Sequence, residues 1–266
     1  MARAVKRRPP TSRAIAAAER ATSPPRAGVP NDKAVTRVGA IDALRGIALL
    51  MMFAYHFSFD LRYYGVLQAD FENDPFWLTF RAIIVAMFMT LVGFSIVLAD
   101  AQGTKLPRFL RRVGLIALGA LAATLASLVL FPASFIYFGI LHSIAVTSLL
   151  AWPLRRAPAI ALALGIFVLV AGLTLHAALF DPRYLSWIGF MTHKPFTEDY
   201  VPLAPWGSAA FIGLALGHAL LRTRFRAIAA LDAAPPWLQW LGRHSLIVYL
   251  LHQPILMGVL WVALRR

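Results

Sequence analysis

Apolar residues run along this chain in blocks of about 20, broken by short polar connections. That block length suits a helix crossing a hydrocarbon layer ~30 Å thick. The blocks lie at about 40–59, 76–99, 109–130, 134–152, 157–180, 204–222 and 243–264. They predict an all-α fold, a polytopic membrane helix bundle of about seven transmembrane helices. The first block is not uniformly apolar: IDALRGIALLMMFAYHFSFD carries Asp42, Arg45, His56 and Asp60. A charge at the bilayer centre costs at least ~2.5–3.5 kcal/mol on insertion scales, so the placement of these four decides what the helix does. With ~100° of turn per residue, the spacings between them bring all four onto about a third of the circumference. Leu49 and Met52 lie between them on that stripe, and His56 stands ~16 Å along the axis from Arg45. Polar groups gathered on one side of a span face a bundle interior or a wet cavity. A plainer alternative is an interfacial Asp42–Arg45 pair and a packing histidine.

Other blocks carry matching groups. Arg81 lies about a turn and a half inside the second, where it either snorkels outward or faces inward to hold a polar or anionic substrate group. Tyr137 and His142 fall within the fourth, SFIYFGILHSIAVTSLLAW. The seventh, RHSLIVYLLHQPILMGVLW, holds Tyr249, His252 and Gln253 just before Pro254, with Arg243 and His244 at its mouth. Tyr249 and His252, three residues apart, share a face. The three inner histidines lack the H-x-x-x-H or carboxylate-rich spacing of a metal site, so no metal is expected.

Charge gives the topology. The chain has 26 Lys and Arg; 19 fall in the tail before residue 38 and in the connections near 100–112, 153–157 and 222–243. The alternate connections and the carboxyl end hold five, together with seven acidic residues. By the positive-inside rule this puts the amino terminus in the cytoplasm and the carboxyl terminus outside. Composition agrees with a membrane protein: 59% of the chain is hydrophobic and 14% charged, against ~25% charged in soluble domains. The net charge of +14 then marks a cytoplasmic rim and a tail, not a nucleic-acid footprint. Residues 1–37, basic and proline-rich, read as a disordered cytoplasmic tail, and 38–266 as the membrane domain. There is no cysteine, hence no disulfide and no thiolate nucleophile. The connection DPRYLSWIGFMTHKPFTEDYVPLAPWGS is rich in aromatics that suit either sugar rings or an interfacial belt.

The first block, with Asp42-x-x-Arg45-Gly46 and His56 eleven residues past the arginine, resembles the first span of the membrane acyltransferase superfamily, including its acyltransferase type 3 branch. From about 37 to 264 the chain is similar to the bacterial branch of the heparan-α-glucosaminide N-acetyltransferase catalytic-domain family. The segments RVGAIDALRGIALLMM, FIYFGILHSIA, DYVPLAPWGSAAFIGLALG and LGRHSLIVYLLHQP carry that similarity. The resemblance implies an acyl group, here acetyl, taken from cytoplasmic acetyl-CoA as co-substrate and delivered to an amine or hydroxyl of an extracytoplasmic sugar or glycan. It implies His56 as general base and Asp60, one turn on, as the group that orients it. Asp42, Arg45, Arg243 and His244 would serve the coenzyme A phosphates. Arg81, Tyr137, His142, Tyr249, His252 and Gln253 would line the acceptor site. The location implied is the cell membrane, multi-pass, in a bacterial inner membrane. A transporter or flippase using the same stripe as a proton or substrate path remains a rival. So does a non-catalytic membrane subunit whose stripe is packing glue. The sequence leaves a homo-oligomer open.

Overall fold

The structure, a computed structural model, describes residues 38–264. The tail 1–37, expected to be disordered, lies outside the described residues, as do Arg265 and Arg266. The helices are α1 (Gly39–Tyr63), α2 (Pro75–Ala101), α3 (Leu106–Leu130), α4 (Ile140–Ala151), α5 (Pro158–Thr174), α6 (Arg183–Ser186), α7 (Leu203–Arg222), α8 (Pro236–Arg243) and α9 (Ser245–Leu264). Single-turn or short 3-10 segments cover Trp152–Leu154, Ala178–Phe180 and Arg226–Ala233. No strand occurs among the described residues, only an isolated parallel bridge between Phe138 and Tyr200.

By length and composition α1, α2, α3, α7 and α9 can each cross a membrane, while α4 and α5 are shorter apolar helices. The expected helix at 134–152 thus begins late, at Ile140, and that at 157–180 ends early, at Thr174. The reason is local hydrogen bonding. Ser127 Oγ accepts the N–H of Ile136, and Thr124 and Thr197 donate to the carbonyls of Ile136 and Phe135 at 2.7 and 2.8 Å. With its backbone groups met from outside, 134–138 has no need of helical bonds, although its side chains are apolar.

Contacts between connections show that the long helices alternate in direction. At one end Asp100 pairs with Arg155 and Arg156, both at 2.9 Å, and His218 Nε2 donates to the Arg155 carbonyl at 2.7 Å. Asp232 of the Arg226–Ala233 segment accepts the Ala40 N–H at 2.7 Å, capping α1 from a distance. At the other end Lys194 pairs with Glu72 at 2.8 Å, and the Tyr64 hydroxyl donates to the Met257 carbonyl at 3.3 Å.

Helix α7 packs along both α2 and α5. Glycine makes the first seam possible: a Cβ on Gly93 would stand 2.3 Å from the Ala210 carbonyl oxygen, and one on Gly213 2.4 Å from that of Thr90. Such close backbone approach replaces the missing hydrophobic drive between helices in lipid. From α1, Leu49, Met52 and Tyr55 join Phe71 and Ile84 in one buried cluster, which fixes the stripe of α1 facing inward.

Candidate functional site

The Asp42–Arg45 half of the stripe is a joint between helices. Asp42 is buried, and Arg45 donates to it at 2.8 Å and to Ser95 Oγ of α2 at 2.6 Å. Helix α8 lies against the same turn, with Gly242 next to the Asp42 carbonyl and the Arg45 Cβ. Arg45 thus joins α1 to α2, beside the turn of α8 that carries Arg243. Arg243 and His244 belong to α8 and its C-terminal cap, not to α9, which starts at Ser245. Both are exposed; His244 Nδ1 bonds the Trp240 carbonyl at 2.9 Å and its ring lies 4.5 Å from that of Trp240.

Eleven residues along α1, His56 meets His252 of α9, ring to ring at 4.9 Å and 64°. Phe53 stacks on the His252 ring at 5.6 Å and 19°, and Tyr55 stands edge-on to His56 at 5.8 Å. His252 Nδ1 bonds the Tyr249 carbonyl. A carbonyl only accepts, so Nδ1 carries the hydrogen and neutral His252 presents Nε2 as an acceptor. That Nε2 is buried and takes no hydrogen bond from the described residues. No described residue hydrogen-bonds the half-buried His56 either.

Asp60 was expected to orient the His56 ring. The structure gives it another partner: Oδ1 accepts from Gln253 Nε2 at 2.7 Å. Its Oδ2 and Gln253 Oε1 are both buried without a protein donor. Helices α1 and α9 thus carry three buried acceptors, Asp60 Oδ2, Gln253 Oε1 and His252 Nε2, that the described residues leave unmet. Buried acceptors of this kind are few in native proteins and call for an explanation.

A second polar tier centres on Asp199, which sequence reasoning passed over as one acid among several in an external connection. Its Oδ2 accepts the Ile140 N–H at the start of α4 at 2.9 Å, and its carboxylate is within electrostatic reach of the Tyr249 hydroxyl. A Cβ at Gly139 would lie 2.3 Å from Asp199 Oδ2, so glycine there lets the carboxylate in. Burial pushes the Asp199 carboxyl up, opposed by the Ile140 N–H and by the charge of Arg81. Arg81 is half-buried and within electrostatic reach of Tyr55, Glu72 and Asp199.

Two expected site residues fall elsewhere. His142 closes the amino end of its own helix: Nδ1 accepts the Gly139 N–H at 3.2 Å, and Nε2 lies 3.3 Å from Thr124 Oγ1. With both nitrogens engaged it is a structural cap, apart from the His56–His252 pair. Tyr137 is not in a helix. Its hydroxyl bonds Ser186 Oγ at 2.6 Å, its ring sits 6.1 Å from Tyr200, and the Arg183 guanidinium lies 5.8 Å over it. It ties the 134–138 segment to the aromatic connection before α7. Among the described residues no cluster of three or more His, Asp or Glu is placed to hold a metal.

The family model described as "Heparan-alpha-glucosaminide N-acetyltransferase, catalytic" matches residues 37–254. That interval takes in both members of the histidine pair and both carboxylates, Asp60 and Asp199. No curated protein and no solved structure matches the chain.

Proposed function

The chain belongs to the heparan-α-glucosaminide N-acetyltransferase catalytic family, and from that premise we propose an acetyl transfer across the membrane. The donor is acetyl-CoA on the cytoplasmic side, and the acceptor is an amine or hydroxyl of an extracytoplasmic sugar or glycan. The observation that carries this is the set of three unmet buried acceptors beside two facing imidazoles. A sugar amine or hydroxyl brings the N–H and O–H donors that such a site lacks, and a hydrogen-bonding site rejects ligands unable to supply them.

In this scheme the acceptor nitrogen or oxygen attacks the thioester carbonyl. A C–N or C–O bond forms, the C–S bond breaks, and coenzyme A leaves as the thiol once it regains a proton. His56, whose ring no described residue hydrogen-bonds, takes the proton from the acceptor as general base. His252, held by its Nδ1–H on the Tyr249 carbonyl, accepts a second hydrogen of the acceptor through Nε2. Asp60 and Gln253 orient the rest of the group. Arg243 and His244, exposed at the basic end, meet the donor phosphates, while Asp42 and Arg45 hold α1 in register for them. Arg81 and Asp199, at the outer end, line the acceptor's approach. The excess of basic residues at the end bearing Arg155, Arg156 and Arg243 supports a cytoplasmic amino terminus. The cell membrane, a bacterial inner membrane, is the corresponding location.

The test uses proteoliposomes with labelled acetyl-CoA on the side of the basic connections and a panel of glucosamine and short oligosaccharides on the other. Wild type transfers label, and His56→Ala loses about 10²–10⁴ of the rate with an unchanged melting temperature. Transfer that survives in His56→Ala moves the base to His252. Absence of both transfer and coenzyme A binding in folded protein favours the transporter.

A further inference from the structure

At the basic end of the bundle a cleft of about 580 Å³ opens between the α2–α3 and α4–α5 connections, lined by Asp100, Lys105, Leu106, Trp152, Arg155 and Arg156 among others. Three cations face one carboxylate. Arg155 and Arg156 each approach Asp100 through Nε, at 2.9 Å. The Arg155 guanidinium lies 4.8 Å over the Trp152 ring and sends Nη1 to the Trp152 carbonyl at 3.2 Å. Arg156 keeps its terminal nitrogens clear of Asp100, with its side chain 73% exposed. Lys105, the residue before α3, makes no hydrogen bond or ion pair with the described residues through its ammonium. Asp100 thus holds two guanidinium groups in place without neutralising the set, leaving an organised excess of positive charge.

We propose that this cleft binds a phosphate ester, and that its occupant is the headgroup of an anionic phospholipid. The floor is closed: Trp152 stacks on Phe109 at 4.0 Å and 17°, and both belong to a packed cluster with Ile96, Val97, Val113 and Leu214. A ligand therefore sits shallow, at the level where headgroups lie. One wall is apolar and open, with Leu106 50% exposed in the cleft and Leu110, one turn further along α3, 46% exposed. Acyl chains have a surface there, directly below the charged rim, whereas a soluble nucleotide has no use for it. Basic pockets between helices at this depth are lipid-headgroup sites elsewhere. The proposal is independent of the transfer chemistry, because nothing in it involves the histidine pair.

The experiment titrates short-chain phosphatidylglycerol, short-chain phosphatidylcholine and coenzyme A separately into the full chain in neutral detergent, reading thermal stabilisation. Wild type responds to phosphatidylglycerol and not to phosphatidylcholine. Lys105→Gln/Arg156→Gln, both exposed changes, weakens the apparent affinity roughly 30-fold. Arg222→Gln, which removes a cation outside the cleft, retains the full response. Equal responses to the two lipids, or a double variant indistinguishable from wild type, overturn the proposal. Loss in the double variant of the coenzyme A response alone overturns the lipid and assigns the cleft to a soluble phosphate.

Discussion

Replacing Asp60 with Asn tests the acceptor site through stability and activity at once. Asp60 is 1% exposed; one oxygen is met by Gln253 Nε2 at 2.7 Å, and the other, like Gln253 Oε1, meets no protein donor. Asparagine keeps the shape, leaves its carbonyl oxygen to accept from Gln253, and turns an NH₂ toward Gln253 Oε1. Two side-chain amides then bond reciprocally. Each unmet buried group costs about 1–3 kcal/mol, and the substitution relieves two, so a net gain of about 2 kcal/mol is expected. For a domain of this size that raises the melting temperature by about 4–8 °C. Activity moves the other way, because the acceptors offered to substrate are now occupied. Loss of a charge-assisted bond in the transition state lowers kcat/KM by about 10- to 100-fold. The assays are thermal unfolding in detergent and acetyl transfer in proteoliposomes, on the same preparations. A melting temperature at or below that of wild type refutes the reasoning, whatever the activity does.

His142→Ala and His252→Ala should separate in the opposite sense. The first strips two partners from the start of α4 and lowers stability by about 1–3 kcal/mol with transfer per folded molecule near wild type, and the second abolishes transfer with little change in melting temperature. For Asp199, burial raises the folded-state pKa above its ordinary value. Its contribution to stability is therefore full below the usual carboxylate range, near ~4, and is lost as pH rises through the raised folded value. Relative to Asp199→Asn, the wild-type melting temperature should fall as pH rises from ~4 through the raised folded value; parallel curves would rule out this role.

The bundle was legible because apolar blocks of membrane length leave few other structures open to them. The stripe on α1 was legible too, since four polar groups share a face by helical period alone. The pairing of His56 with His252 was not, because the neighbour of α1 is a helix almost 200 residues away and no spacing rule links the two. The bonding of His142 was not legible either, for a physical reason. Its block reads as one continuous span, yet Ser127, Thr124 and Thr197 capture the backbone of 134–138 and turn the histidine into a cap. Asp199 was hidden among the acids of the connection before α7. Only the fold carries it inward to Ile140 and Tyr249, and the one local hint was a glycine, Gly139, at the place where it enters.

Two glycines set one further property. A Cβ on Gly46 would stand 2.3 Å from the Leu238 carbonyl oxygen, and one on Gly242 1.8 Å from that of Asp42. Main chain therefore rests on main chain where α1 crosses α8, and near the far end of α1 the Asp60–Gln253 bond ties it to α9. The two histidines ride on the two arms of this calliper, fixed at both of its ends. Leucines on the outer side of α3, such as Leu118 and Leu125, face outward unpacked. A change in bilayer thickness acts first on that flank, by tilt. The gap between the imidazoles is gauged by a backbone contact at one end and a buried side-chain bond at the other, so it should stay constant from one membrane composition to another.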